Sequence, residues 1–593
     1  MKDSARFSPG ESVASTASLP WGEIVFAAVG AIVFAIAFGG VLIENIRKTG
    51  LDWDWTFSLA RDWVPVYTVS RFHQLPLWNP YACGGMQMLA NPQARLALPF
   101  FLLNVLWGPT VGLHLEILLD LAIAWSGGYF LARILGLSPL AAIACASIFP
   151  GSSWFGLHLG VGHLTFLSYL FLPWIVALTW LSMTRDAILA AGLAALFMAM
   201  TVGGGGVYQV TQAALLVGVV AIGVAIQRGS LMPFAMLALF GCFSLGFSAI
   251  KLVPTYALLL SHPKTALVGE YNSASLLLDA MFSRDQAIVR AGWLGHHPWE
   301  YWEYGAYVGV FAALMMLVGA ASAPWRTTPW ILAGGVLFVL AMGEVSANYS
   351  PWIWLHSLPV FSQERVASRF LIPLVMTVSV MAAFGIDALQ RSPGPGGRSA
   401  ATIFVALCVF DLWRVGTPNI RYAVEFNLPP IEDRLPFHQF YEGSVYSMFD
   451  LARYNMGAMN CFEYTNFPTH VIGSNQAGYR GEQYLSGPGT VTVSRWSPNE
   501  LSFDVATPGA NLLVINQNFD DGWRLIENGQ DIMPFKGLLA VRLKPGTQTV
   551  TLKYANRYFN IGAIVTFLSL GIFVALVNRA RLIAFVRRFC GSL

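Results

Sequence analysis

The sequence predicts a mainly α-helical, polytopic membrane protein with a small β-sandwich on its outer face. Three observations predict it: the composition, a series of apolar runs long enough to cross a bilayer, and a change from helical to two-residue periodicity near the end. Of 593 residues, 55% are hydrophobic and only 11% charged, with a mean hydropathy of +0.56. A soluble enzyme would carry about a quarter charged residues. The net charge of +3 and the lack of any Lys/Arg tract argue against a nucleic-acid partner.

The first element is the run from Trp21 to Leu42. It has about twenty residues, enough to cross ~30 Å of hydrocarbon, and no small-residue cleavage site follows it, so it is expected to stay as a span. Further spans are expected near 112–135, 138–156, 163–183, 186–202, 206–226, 231–256, 304–322, 328–345, 369–389, 399–416 and 559–578, about twelve in all. Threading them alternately puts Arg133, Arg185, Arg228, Arg326, Arg391, Arg398, Arg579, Arg581, Arg587 and Arg588 on one side. Positive residues in short loops mark the cytoplasmic side, so both termini are expected inside. The segments 45–111, 257–303, 346–368 and 417–558 then lie outside. Any chemistry belongs on that outer face.

The domain reading follows: residues 1–416 as the transmembrane domain, with its first outer loop at 45–111; 417–558 as the outer domain; 559–593 as the last span and a basic cytoplasmic tail. Within the outer domain, TVTVSRW, LSFDVAT, NLLVINQ, LAVRLK and QTVTLKY alternate as strands. The turns Pro508-Gly509, Asp521-Gly522, Asn528-Gly529 and Pro545-Gly546 separate them, predicting a sandwich over about 490–556. Residues 417–489 show no clear period. Six cysteines stand singly, at 83, 145, 242, 408, 461 and 590, without the close pairs of a zinc or redox motif. Unpaired thiols are expected, with a Cys83–Cys461 disulfide on the outer side as the alternative.

Two stretches carry a resemblance. LPLWNPYACGGMQMLANPQARLALPFFLL (75–103) follows an acidic loop, and FDDGWRLIENGQ (519–530) is joined to KPGTQTVTLKYANRYFNIG (544–562). Weaker echoes are GHLTFL (162–167), EYGAYVG (303–309) and QERVASRFL (363–371). Together these resemble the bacterial YfhO-like membrane proteins, which are similar to the GT-C superfamily of glycosyltransferases that use polyprenyl-phosphate sugars. The resemblance implies a bacterial inner-membrane transferase with an extracytoplasmic active site, and an acidic, Asp-x-Asp-like motif in the first outer loop that serves catalysis. Asp52-Trp53-Asp54 matches that position and spacing. Either aspartate is a candidate base, Asp62 is a third, and Asp52 with Asp54 could hold a divalent cation, Mg or Mn. Interfacial tryptophans and a helix-capping aspartate are the plain structural alternative.

The chemistry calls for a carboxylate at the acceptor hydroxyl. Beside Trp53, Trp55 and Trp63 its pKa is expected to rise through desolvation. A departing phosphate calls for fixed positive charge. Arg365 and Arg369, one helical turn apart, are the first candidates; a structural pair with Glu364 is the alternative. Lys251 is the second, against simple snorkelling, and Arg61 the third, against a local pair with Asp62. His163, Glu303, Trp78 and Asn79 are candidate substrate contacts; for Glu303, anchoring by the neighbouring aromatics is the alternative. His158, His163, His262, His296 and His297 are all expected outside, but their spacings do not predict a metal site. Trp496 and Trp523 of the sandwich are expected to fill its core rather than stack on sugars.

The expected activity is inverting transfer of a sugar from a polyprenyl-phosphate donor to a glycan or lipid acceptor of the cell envelope. A lipid-linked oligosaccharide transporter and a non-catalytic assembly scaffold are the alternatives. Transport predicts ionisable residues deep in several spans and inverted repeats; Asp120, Asp387 and Asp411 are the main such residues, and no repeat is evident.

Overall fold

The structure, a computed structural model, describes residues 20–263, 269–293, 297–346, 350–392, 396–432, 435–526 and 531–590, with side chains to 579. The side chains of Arg581, Arg587 and Arg588, His296 and the Asn528-Gly529 turn lie outside the described residues.

Among the described residues, eight helices are long and apolar enough to cross a membrane: Trp21–Glu44, Pro109–Ile134, Pro139–Gly160, Leu164–Arg185, Val207–Arg228, Ala367–Gln390, Gly396–Gly416 and Arg557–Arg579. A ninth is reached if Met232–Phe247 and Ala249–Ser261, bent by 78°, count as one. This corrects the expected twelve. Ile188–Gly203 and Gly309–Ser322 are apolar but have only 16 and 14 residues, about 24 and 21 Å at 1.5 Å per residue, short of the hydrocarbon thickness. Pro324–Ala341 opens on the polar stretch Arg326-Thr327-Thr328. Hydropathy finds apolar runs but does not sense where a helix breaks.

The break at Ser248 shows how a bent helix is kept satisfied. Ile250 N donates to Thr566 Oγ1 at 2.9 Å, and that hydroxyl donates to Gly246 O at 3.2 Å. Thr566 belongs to the last helix. Backbone groups freed within a membrane need such internal partners.

Ala367–Gln390 runs through the middle of the bundle and is wholly buried along its apolar stretch. Its apolar residues face other helices on all sides, as a central helix requires. Arg369 sits at its N-terminal end.

The sandwich consists of two four-stranded antiparallel sheets. One runs Ile532–Phe535, Leu538–Leu543, Asn511–Asn518, Gln483–Leu485; the other Trp523–Leu525, Gly546–Tyr554, Glu500–Thr507, Thr490–Ser497. Leu501, Phe503, Val505, Leu513, Ile515, Val541, Val550, Leu552 and Trp523 alternate inward to form the core. Trp496 is half-buried and stacks on Phe437, centroids 4.8 Å apart.

Several links tie residues 417–558 to the first loop. Lys48–Thr49 pairs with Phe426–Asn427, and Cys83 forms a disulfide with Cys461, Cα atoms 5.2 Å apart. That bond corrects the expectation of unpaired thiols: a separation of 378 residues leaves no local signal. The Trp78 indole enters the sandwich core and donates to Gln517 Oε1 at 2.8 Å.

Candidate active site

The first loop turns into helix Trp55–Phe72. The start of this helix is stitched to the turn after Pro139–Gly160 by three hydrogen bonds: Asp54 N to Val161 O at 3.0 Å, Trp55 Nε1 to Gly160 O at 3.0 Å and Ser58 Oγ to Gly162 O at 2.6 Å. Gly162 has φ +84°, and a Cβ there would lie 2.5 Å from Trp55 N. Only glycine suits both the left-handed backbone and the close approach.

This joint opens onto a cavity of about 260 Å³ lined by Asp54, Arg61, His163, Tyr208, Arg365 and Arg369, with Gln93 and the segment Phe462–Tyr464 and Asn466 among its other walls. Asp54 occupies the N-cap position of Trp55–Phe72 but makes no side-chain cap bond. Its Oδ2 instead meets His163 Nε2 at 3.1 Å. Burial would raise the Asp54 carboxyl, but the hydrogen bond and charge of His163, with Arg61 beyond, hold it below the usual value. The expected rise is thereby corrected: desolvation is the largest single influence, but His163 and Arg61 together outweigh it.

The three arginines differ. Arg369 grips Glu303 with both prongs, Nε to Oε2 at 2.7 Å and Nη2 to Oε1 at 2.6 Å. Its guanidinium also lies 4.5 Å from the Tyr208 ring centre and 4.9 Å from that of Phe166. Burial would raise the Glu303 carboxyl, yet the charge and hydrogen bonds of Arg369 bring it down to about 2. Arg61 pairs with Glu463 at 3.4 Å and donates to Phe462 O at 3.0 Å. Arg365 lies over Trp299, 5.3 Å from the ring centre. Among the described residues it has no carboxylate partner, and its Nε is buried without a hydrogen bond. Glu364 pairs with neither neighbour: its oxygens face Thr211 and Gln212.

The structure therefore brings Asp54, Arg61, His163, Arg365 and Arg369 to one cavity, with Glu303 just behind Arg369. The other candidates lie elsewhere. Asp52 is exposed and does not line the cavity; its carbonyl accepts from Trp55 N at 3.2 Å. Asp62 is buried, 3.2 Å from Arg95, which also binds Glu116. Burial raises its carboxyl despite Arg95 and Arg61. Lys251 is buried and donates to Leu89 O at 2.8 Å and Asn91 O at 2.5 Å, bracing the first loop. Trp78 fills the sandwich core, and Asn79 Oδ1 accepts from Tyr81 N at 2.9 Å within a turn.

Sequence reasoning missed Gln93, Tyr208, Glu463, Tyr464 and Asn466. The last three sit in CFEYTN, where Cys461 was the single available signal. Asp52 and Asp54 do not converge, so the residues present do not fit a cation on that pair. His158, by contrast, meets His163, Nδ1 to Nδ1 at 2.8 Å. The turn at Gly160–Gly162 folds the chain back between them, which their spacing did not disclose.

No protein-family model and no curated protein matches the chain. Among solved structures, it is similar to the arabinofuranosyltransferase AftD from Mycobacteria at 19% identity and TM-score 0.43, over 71% of this chain and 29% of that one. It is also similar to the oligosaccharyltransferase of Archaeoglobus fulgidus in complex with zinc and sulfate, at 12% identity and TM-score 0.32, over 73% and 62% of the two chains. The AglB oligosaccharyltransferase of the same organism, with an inhibitory peptide and a dolichol-phosphate, gives 13% identity and TM-score 0.33 over 74% and 65%. The chain thus spans less than a third of the first neighbour and under two thirds of the archaeal ones. At TM-scores below 0.5, nothing about activity follows from the likeness.

Proposed function

We propose that the protein is an integral-membrane inverting glycosyltransferase of GT-C type, moving a sugar from a polyprenyl-phosphate donor to an extracytoplasmic glycan or lipid of the cell envelope. One observation carries the reading: a carboxylate, Asp54, and an arginine with no counter-ion among the described residues, Arg365, face the same cavity. A base for a hydroxyl and a cation for a phosphate are the two groups such a transfer needs.

In the step itself, the acceptor oxygen attacks the anomeric carbon from the face opposite the phosphate. Asp54 takes the hydroxyl proton. The carbon–oxygen bond to the phosphate breaks, and the electron pair leaves with the polyprenyl phosphate, whose charge Arg365 offsets. His163 holds Oδ2 of Asp54 and so presents Oδ1 to the acceptor. Arg369, already neutralised by Glu303, shapes the wall. The Cys83–Cys461 bond supports an extracytoplasmic placement, since disulfides persist in oxidising compartments.

The test is transfer in membranes from a polyprenyl-phosphate sugar. Asp54→Asn is expected to lose at least about a hundredfold, the usual worth of a general base, while Asp52→Asn stays near wild type. A loss below about tenfold for Asp54→Asn, roughly 1.4 kcal/mol of barrier, overturns the assignment.

One feature favours the transport alternative. Asp120 lies fully buried in Pro109–Ile134 with neither carboxyl oxygen hydrogen-bonded among the described residues, one turn from Glu116. Movement of a lipid-linked sugar across vesicles without any transfer product would support that reading instead.

A further inference from the structure

One ligand atom each from His158, His163 and Glu303 lie within 4.8 Å of one another. Two of the three are oriented by an outer partner, while His158 meets His163. The Asp54 carboxylate at 3.1 Å from His163 Nε2 keeps the proton on that nitrogen and leaves the Nδ1 lone pair facing His158. Metal-binding histidines commonly use their second nitrogen in this way, donating it to a carboxylate. Glu303 is fixed by Arg369 through both oxygens, and each oxygen keeps a further lone pair. The group is enclosed: His158 is 2% exposed and Glu303 8%.

We propose that His158, His163 and Glu303 bind one divalent transition-metal ion, zinc by preference, with Asp54 and Arg369 as outer partners. Two imidazoles and a carboxylate suit Zn²⁺, whereas Mg²⁺ favours oxygen ligands and water. This differs from a cation on Asp52 and Asp54, which the geometry does not bring together. Tetrahedral zinc with bonds of about 2.0–2.1 Å separates its nitrogens by about 3.3 Å. The two rings, with Nδ1 atoms at 2.8 Å, need to part by about half an ångström. Arg369 repels the ion, and the carboxylates of Glu303 and Asp54 offset that repulsion. Bound there, the ion would hold His163 and so fix the Asp54 carboxylate that faces the cavity.

The inference does not rest on the transferase reading, because metal binding is read without sugar transfer. Full-length protein in detergent, stripped with chelator, is titrated with Zn²⁺ and separately with Co²⁺, whose visible spectrum reports four-coordinate nitrogen and oxygen ligation. About one equivalent is expected, undisturbed by a large excess of Mg²⁺. His158→Ala and His163→Ala are expected to lose stoichiometric binding, and Asp54→Asn, removing an outer partner, to weaken it about 10–100-fold. Failure of the wild-type protein to take up zinc at micromolar concentration overturns the proposal whether or not the variants fold. It leaves the 2.8 Å contact as a hydrogen bond from His158 to His163. Wild-type affinity in His158→Ala overturns it as well.

Discussion

Glu303 and Arg369 form a two-pronged ion pair with side chains only 7% and 4% exposed, while Arg365, in the non-helical segment before helix Ala367–Gln390, has no carboxylate partner among the described residues. The two arginines therefore have separable roles. Glu303→Gln leaves Arg369 charged and unpaired in a buried place, a loss of roughly 3–5 kcal/mol, seen as a lower Tm in detergent. Arg365→Gln breaks no ion pair, so its stability is expected to change by no more than about 0.5 kcal/mol, while the KM for a polyprenyl-phosphate donor rises. A large drop in Tm for Arg365→Gln would mean that its charge is structural after all.

Gly162→Ala tests the joint that carries Asp54. The added methyl meets Trp55 N at 2.5 Å and strains a backbone at φ +84°. Relief has to push the start of Trp55–Phe72 away from the turn, lengthening the contact between Asp54 and His163. Transfer is expected to fall by at least about tenfold, the scale of a misplaced catalytic group, although residue 162 needs no contact with the reacting atoms. Activity within twofold of wild type would show that the joint does not set the carboxylate's position.

What was legible in the sequence follows from the range of each signal. Periodicity is local, so the strands from Thr490 to Tyr554 were read from alternation, and the apolar runs from hydropathy. Asp54 was reached through motif position; Arg365 and Arg369 were reached through a helical spacing that the structure does not keep, since residues 364–366 are not helical and Val366 is extended. The short strand Gln483–Leu485 carries too few residues to show a period. Asp62 stood as a third candidate because nothing nearby in sequence announces Arg95, 33 residues on. The Arg61–Glu463 pair and the disulfide join residues about four hundred apart. No spacing rule reaches that far, and CFEYTN was therefore left out of the site.

Glu482 predicts a pH dependence of the region around the sandwich. Burial lifts its carboxyl from 4.5 to about 7, against hydrogen bonds from Gln439 N, Asn516 and Tyr479. A raised carboxyl means that the folded chain holds a proton that the unfolded chain has released. Stability therefore falls as pH rises from about 4.5 to about 7, by an amount on the order of 1–3 kcal/mol. All three donors reach Oε1, at 2.9, 3.2 and 3.0 Å, and a glutamine keeps that oxygen without the charge. Glu482→Gln is expected to raise the Tm at pH 8 and to leave it unchanged near pH 4.5. Equal shifts at both values would rule out titration of Glu482 as the cause.

The Cys83–Cys461 bond predicts the most distant effect on the cavity. It joins the first loop to the residue preceding Phe462 and Glu463, which form the wall opposite Asp54 and hold Arg61. Losing it frees a chain loop of 378 residues, and removal of a native disulfide costs about 2–5 kcal/mol. Cys461→Ser is expected to lower stability by that amount. Loss of the cross-link also loosens the Arg61–Glu463 contact, so donor binding weakens without any change in the residues that face the substrate. Alkylation gives the direct check. In the denatured, unreduced chain, Cys145, Cys242 and Cys408, which are free thiols, react with maleimide, whereas Cys83 and Cys461 react only after reduction. Modification of both without reductant would remove the link, and with it the reason for the cavity wall to hold its place.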